Sequence, residues 1–313
     1  MKSYPLVYAV ILNYNGFDDS KECTEFLLNS HHPVNIIIID NNSTDDSYLK
    51  LKYQFSTLKI IKSETNLGYA GGMNIGIQYA LKENADFILL VNQDIVVTPG
   101  FLEPMLKKLY NDKKVGIVSC KVLYKNDKDK IYCAGGRISR LLCTGKAEYQ
   151  GLKASDYANE EREITLAEGS FLMIKSEVFK KVGLLNEKFF MYLEDVEFSE
   201  RVRKFFKIFY TNASIVYHKS GAGDKWSRYT PLYNYYYTRN RLWIYLDKSF
   251  ISKIYVFLLS LVITIIKSIS VLLRAGNSKL ISFKSIWNGF KDGVFLMIGL
   301  GKRFLNPNKY RQN

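Results

Sequence analysis

Four short apolar runs in the first hundred residues, each closed by a cluster of Asn, Asp and Gly, constrain this chain more than any other feature. They are Leu6 to Leu12, Asn35 to Ile39, Leu58 to Lys62 and Phe87 to Val91. Segments of helical period separate them, at Asp19 to Asn29, Asp45 to Phe55 and Gly72 to Glu83, with Ser43-Thr44-Asp45 predicting an N-cap for the second. Strands of this length without polar alternation are buried on both faces, and helical crossovers between them make the sheet parallel. The expected fold class is therefore α/β, a doubly wound and mostly parallel sheet. In such sheets ligands bind beyond the carboxyl ends of the strands.

The polar clusters fall at those ends. Asn13-Tyr14-Asn15-Gly16 follows the first run, Asp40-Asn41-Asn42 the second, Asn66 to Asn74 the third and Asn92-Gln93-Asp94 the fourth. Turn chemistry accounts for any one of them, but four on one rim predict a binding site. A carboxylate at Asp94, just past a buried strand, can hold Mg²⁺ or Mn²⁺, because such ions need only one or two protein carboxylates when a diphosphate supplies further oxygens.

Beyond Asp94 the pattern is less regular. Val115 to Leu123 and Ile164 to Ile174 read as strands, Gly151 to Arg162 as a polar loop, and Phe189 to about Phe206 as a helix. On that helix Asp195 shares a face with Phe198, Val202 and Phe205, whereas Glu194 aligns with Glu197, Arg201 and Lys204, so Asp195 is expected to point inward. An inward carboxylate is costly unless paired or functional, and a general base needs that placement. An acidic helix start favoured by the dipole explains Glu194 and Glu197 better than Asp195. His218 ends the strand-like Ala213 to Tyr217 and precedes a Ser220-Gly221-Ala222-Gly223 run, a position suited to metal or phosphate contact. Tyr235 to Arg241 adds cations able to meet a diphosphate, or a membrane-interface belt of tyrosines.

Composition locates the partners. The 313 residues carry 44 Lys and Arg against 30 acids, a formal charge of +14. From Lys267 onward nine basic residues face one acid, Asp292, beside the thirteen uncharged residues Ile254 to Ile266. That pairing predicts an anionic membrane surface rather than nucleic acid. Thirteen residues are short of the ~20 that span a bilayer, so an interfacial or re-entrant helix is expected, with a buried helix as the alternative. The four cysteines, at 23, 120, 133 and 143, show no zinc spacing and read as packed thiols. Met1 to Pro5 runs straight into the first strand without a cleavage motif, so the chemistry is expected to face the cytoplasm.

Taken in order, Asn13-Tyr14-Asn15-Gly16, Asp40 to Asp45, Asn66 to Asn74, Asn92-Gln93-Asp94, Phe189 to Asp195, His218 and Arg239-Asn240 resemble the motifs of family 2 glycosyltransferases. The set is most similar to their rhamnosyltransferase-like branch, and the likeness runs from about Val7 to Leu242. The resemblance implies a GT-A (Rossmann-like) catalytic domain at about 1–245, divided near 112 into nucleotide-binding and acceptor-binding halves. A helical, membrane-associated region at 246–313 would follow. It implies that Asp40 binds a pyrimidine base, that Leu12 and Tyr14 line the nucleotide pocket, and that Gly68, Gly72 and Asn74 let the backbone approach the nucleotide. Asn92 and Asp94 take the D-x-D position, with Asn replacing the first acid. Asp94 and His218 would be metal ligands, Arg239 and Asn240 further donor contacts, and Asp195 the base of an inverting transfer. The implied donor is dTDP-rhamnose, with galactofuranosyl or another hexosyl donor as alternative. The implied acceptor is a lipid-linked or polysaccharide hydroxyl, in bacterial surface polysaccharide synthesis at the cytoplasmic face of the cell membrane.

Other readings fit less well. A nucleotidyltransferase expects Arg and Lys in a Gly-rich loop after the first strand, where Asn13 to Asp18 has neither. A dehydrogenase expects G-x-G-x-x-G there. A noncatalytic membrane scaffold predicts no metal-dependent binding of a nucleoside diphosphate.

Overall fold

Consecutive isoleucines show how the core is divided, because Ile36 and Ile38 join one apolar cluster and Ile37 and Ile39 the other. Both faces of the sheet are thus covered, as period-two side chains on a buried strand require. The computed structural model describes residues 5–219, 230–244, 249–273 and 279–299. Strands β1 (Val7–Asn13), β2 (Asn35–Asp40), β3 (Lys59–Lys62) and β4 (Phe87–Asn92) pair in parallel in the order 3-2-1-4. Helices α1 (Phe17–Leu28), α2 (Ser47–Gln54) and α4 (Leu102–Asn111) cover one face. The other carries α3 (Gly68–Lys82), α5 (Ser176–Val182) and α6 (Glu194–Val202).

The second half extends the same sheet. It adds β5 (Ile95–Val97), β6 (Val115–Tyr124), β7 (Ile131–Ala134), β10 (Arg162–Ile164), β11 (Phe171–Lys175) and β12 (Lys207–His218). Strand β11 runs antiparallel between β4 and β6, and β12 lies parallel to β6 and antiparallel to β5 and β10. A separate hairpin, β8 (Gly136–Ser139) with β9 (Thr144–Ala147), stands off the sheet. Register makes the polar ends level: Asn13 lies opposite Asp40, Leu12 opposite Asn92, and His218 opposite Ile95. All four cysteines are free and buried, as their spacing predicts.

Several boundaries differ from expectation, each for a local reason. Helix α3 starts at Gly68, four residues early, where a φ of 71° lets the chain turn directly into the helix. The hydroxyl expected to cap α2 at Ser43 instead accepts from Asn13 and Asn15, and α2 begins at Ser47. The run Ile164 to Ile174 is broken by a turn at residues 165–170, in which Glu168 accepts the Ser170 N–H. The helix expected from Phe189 to Phe206 shrinks to α6, because Phe190, Tyr192 and Leu193 all take positive φ before it.

At the C-terminal end, α7 (Pro231–Trp243), α8 (Phe250–Leu272) and α9 (Lys279–Met297) pack together. The thirteen-residue apolar stretch is only the middle of α8, whose 23 residues are long and apolar enough to cross a membrane. Lys253 and Lys267 lie within the helix and do not end it. Its inward stripe is Val256, Ser260, Thr264, Ser268 and Val271, while Leu258, Val262 and Ile266 are more than half exposed. The expected domain junction near 245, the Ser220 to Gly223 run, and the basic residues Arg274, Lys302, Arg303, Lys309 and Arg311 lie outside the described residues.

Helices α7 and α9 meet backbone to backbone, since a Cβ on Gly289 would lie 2.4 Å from the Tyr235 carbonyl oxygen. Gly289→Val is expected to force them apart at about 1–3 kcal/mol. Thermal unfolding of the full chain in detergent should show a lower midpoint than wild type; an unchanged midpoint would contradict this packing.

Candidate active site

The ends of β1 and β2 are laced together by side chains. Asn13 Nδ2 donates to Asp40 Oδ2 at 2.8 Å and to Ser43 Oγ at 3.1 Å, and Asn13 Oδ1 accepts from Ser20 Oγ at 2.7 Å. Asp40 Oδ1 accepts from the Ser43 N–H at 3.0 Å. Asp40 is thus fully buried with both oxygens engaged, so it shapes the rim rather than offering an open carboxylate edge. Tyr14 is half-buried, and its N–H is held by Gln93 Oε1 at 2.8 Å, which ties the first loop to the fourth strand end.

Five expected nucleotide contacts prove to be braces within the protein. A Cβ on Gly68 would lie 2.2 Å from the Phe190 carbonyl oxygen, which accepts the Tyr69 N–H. A Cβ on Gly72 would meet Leu12 Cδ1 at 2.4 Å, so that glycine serves helix-on-strand packing and turns Leu12 toward α3. Asn74 exchanges hydrogen bonds with the Leu185 backbone and donates to Glu187. Arg239 Nη2 donates to the carbonyls of Lys188 and Phe189, and Asn240 Nδ2 to those of Phe189, Met191 and Tyr192, at 2.7 to 2.9 Å. Both are buried. Arg239 Nη2 and Asn240 Nδ2 thus hold the loop that leads into α6.

The chemistry gathers elsewhere on the rim. His218 Nδ1 lies 3.5 Å from Asp94 Oδ2, and the Lys219 N–H donates to the Asp94 carbonyl, so β5 and β12 hold the pair together. Asp94 keeps 23% of its side chain exposed, against 3% for His218. The imidazole stacks on Tyr132 with ring centroids 4.3 Å apart. Burial pushes the Tyr132 hydroxyl well up, and the charges of Glu168 and then Asp94 add to the shift. Glu168 acts in turn on Asp195, whose carboxyl is pushed up to about 7, by burial first and by Glu168 second. Asp94, His218 and Tyr132 are thus in direct contact, and the charge of Glu168 is felt by both Tyr132 and Asp195.

On α6 the burial order is reversed from expectation. Glu194 is 7% exposed, with Oε2 lacking a partner among the described residues, while Asp195 is part-exposed and Phe205 lies beyond the helix at 55%. Glu194 stands one turn before Phe198, and that spacing of four puts it on the same buried face. Burial and the Asp195 charge hold the Glu194 carboxyl well above its usual range. Glu168 was not singled out by sequence, although Gly169 within the supposed strand marks the turn that carries it.

No cluster of three or more His, Cys, Asp or Glu side chains among the described residues could hold a metal ion. The Asp94 and His218 pair nonetheless fits a divalent cation that draws its remaining ligands from phosphate oxygens and water.

A parallel first half, an antiparallel strand inserted beside it, and acids on the shared rim define a GT-A architecture. Residues 8–183 match the glycosyl transferase family 2 pattern, and the chain belongs to that family. Among curated relatives, the low-salt glycan biosynthesis hexosyltransferase of Haloferax volcanii is 28% identical over 201 residues, 62% of this chain and 61% of that protein. The chain thus aligns with less than two thirds of that relative's length. The N-acetylglucosaminyl-diphospho-decaprenol L-rhamnosyltransferase of Mycobacterium tuberculosis is 23% identical over 215 residues, covering 62% and 69%. The dTDP-rhamnosyl transferase of Shigella flexneri is 24% identical over 200 residues, covering 62% of each chain. In fold, the chain is similar to a Pyrobaculum calidifontis mannosyltransferase solved with GDP-Man and Mn²⁺ (TM-score 0.57, 12% identity, 96% of this chain and 88% of that one). It also resembles GalNAc-T7 solved with UDP, GalNAc and Mn²⁺ (TM-score 0.61, 15% identity, 94% and 56%).

The braces generate a test. Asn240→Ala should lower kcat by more than tenfold by releasing the loop before α6, while affinity for a nucleoside diphosphate with Mn²⁺ stays within threefold. If nucleotide affinity fell instead, Asn240 would be a donor contact.

Proposed function

We propose that this protein is an inverting, metal-dependent hexosyltransferase in which Asp195 removes the proton of the acceptor hydroxyl as that oxygen attacks the anomeric carbon of a nucleotide sugar. The observation that carries the reading is the Asp94 and His218 pair on the rim, stacked on Tyr132, with Asp195 at the start of α6 raised by burial and by the Glu168 charge. A base needs a carboxylate whose proton affinity approaches that of its medium, and burial beside Glu168 supplies it. Leu12, Tyr14 and Asn92 line the donor side, with Asp40 fixing the backbone of Ser43 beneath it. Mg²⁺ or Mn²⁺ at Asp94 and His218 would offset the charge on the departing diphosphate.

Two rhamnosyltransferases among the relatives favour dTDP-rhamnose as donor, and the hexosyltransferase of Haloferax volcanii keeps galactofuranose or another hexose as the second reading. The acceptor is a lipid-linked saccharide, in surface polysaccharide synthesis at the cytoplasmic face of the membrane. Three features support this: the decaprenol-linked acceptor in one relative's name, the exposed apolar face of α8, and the small-residue contacts of α8 and α9, which suit helices packing in lipid.

Asp195→Asn should reduce transfer by about 10²–10⁴-fold, the usual worth of a general base, with donor binding unchanged; retained turnover removes Asp195 from the role. The raised carboxyl also sets a pH dependence. Below about pH 7 Asp195 is protonated and cannot accept a proton, so kcat/KM should fall tenfold per unit on the acid side. Glu168→Gln removes a raising charge and should move that limb to lower pH. A limb that stayed in place would separate Glu168 from Asp195.

A further inference from the structure

The interface of α7 and α8 holds two cations that nothing among the described residues neutralises. Arg241 on α7 is 93% buried, and its Nε has no hydrogen-bond partner among the described residues. Lys267 on α8 keeps part of its stem exposed, but its Nζ is buried and has no hydrogen-bond partner among the described residues either. No acidic side chain among the described residues pairs with either. The Lys267 ammonium sits 4.7 Å and the Arg241 guanidinium 5.1 Å from the centroid of the same ring, Tyr237, so the two charges are within about 10 Å of each other. The Tyr233 ring, one turn earlier on that face of α7, lies 5.3 Å from Lys267. A single buried charge without a partner is costly, and two of like sign are more so. An ammonium can relieve that cost by losing its proton, but a guanidinium cannot, so Arg241 above all calls for an anion.

What surrounds the pair indicates the kind of anion. The Tyr237 hydroxyl is hydrogen-bonded to Thr144 on β9, and the next residue, Gly145, is so close to Val196 that an added Cβ would lie 2.7 Å from its Cγ2. Val196 follows Asp195 in α6, so contacts through Tyr237, Thr144 and Gly145 link the pair to the helix that carries the base. On the other side, α8 turns Leu258, Val262, Ile265, Ile266 and Ile269 outward as an apolar face. The ligand therefore combines a multiply charged phosphate head, a part that reaches toward Asp195 and a long apolar tail.

We infer that Arg241 and Lys267 form the binding site for the diphosphate of a lipid-linked acceptor, which enters along α8 and presents its sugar to Asp195. Tyr233 and Tyr237 wall the site, and the anion replaces the missing counter-charge. The inference rests on the lipid-linked acceptor proposed above and assigns the residues that recognise it.

The test uses the full chain in detergent, with farnesyl diphosphate, farnesol and inorganic pyrophosphate as probes. Wild type should bind farnesyl diphosphate and melt higher in its presence, with pyrophosphate at least tenfold weaker and farnesol showing no shift. Lys267→Met and Arg241→Gln should each weaken farnesyl diphosphate at least tenfold, and Lys267→Arg should restore most of the affinity. Binding of dTDP or UDP with Mn²⁺ should change less than twofold. Without ligand, Lys267→Met should melt no lower than wild type, because it removes an uncompensated buried charge. A clearly lower midpoint would mean that the protein itself supplies the counter-ion, and the site would be lost. Unaltered farnesyl diphosphate binding in both variants would also overturn the proposal. Equal affinity for pyrophosphate and farnesyl diphosphate would remove the lipid, and parallel loss of nucleotide binding would assign the pair to the donor. Failure of the transferase reading appears separately, as absence of sugar transfer while these affinities hold.

Discussion

The five carbonyl contacts made by Arg239 and Asn240 are the interaction on which the site depends. The chain from Lys188 to Leu193 turns through Phe190, Tyr192 and Leu193 with φ between 61° and 69°. Side chains with a Cβ avoid that region, at about 1–3 kcal/mol each. Two buried side chains on α7 donate to the carbonyls of this loop, at about 1 kcal/mol net per bond, so the opposing effects are of similar size. The loop is therefore held from outside, and its release point is the first residue of α6, next to Asp195.

The same economy governs the ends of the parallel strands. Most polar residues that gather at the strand ends are occupied with each other: Asn13 with Asp40, Ser20 and Ser43, Asn41 with Asn66 and Leu67, and Gln93 with Tyr14. Irregular loops cannot satisfy their own backbone groups, so side chains must do it. A rigid rim results, on which Asp94 and Asp195 keep part of their surface open.

Helix α7 joins this rim to the C-terminal helices. One of its faces, with Tyr235 and Leu242, meets Gly289 and Gly293 of α9; another, with Tyr233, Tyr237 and Arg241, meets Lys267 of α8. Arg239 and Asn240 reach the loop before α6 from the same helix. Events at the apolar face of α8 are thus two packed helices away from Asp195, through contacts rather than through a tether.

Local pattern was sufficient for the alternation of strands and helices, the burial of both sheet faces, the polar strand ends and the family, because period and turn chemistry are properties of neighbouring residues. It also singled out Asp94, Asp195 and His218 as a set. It was not sufficient for the direction of any side chain whose partner lies far along the chain. Asn74, Arg239 and Asn240 look like ligand contacts in one dimension, and only folding brings residues 185–192 to their donors. Glu168 gained its place when β11 inserted antiparallel beside β4, carrying the turn before it to the rim. The approach of Arg241 and Lys267, 26 positions apart, to one Tyr237 ring likewise exists only because α7 and α8 fold against each other, since charge is legible in sequence but which charges meet is a property of three dimensions.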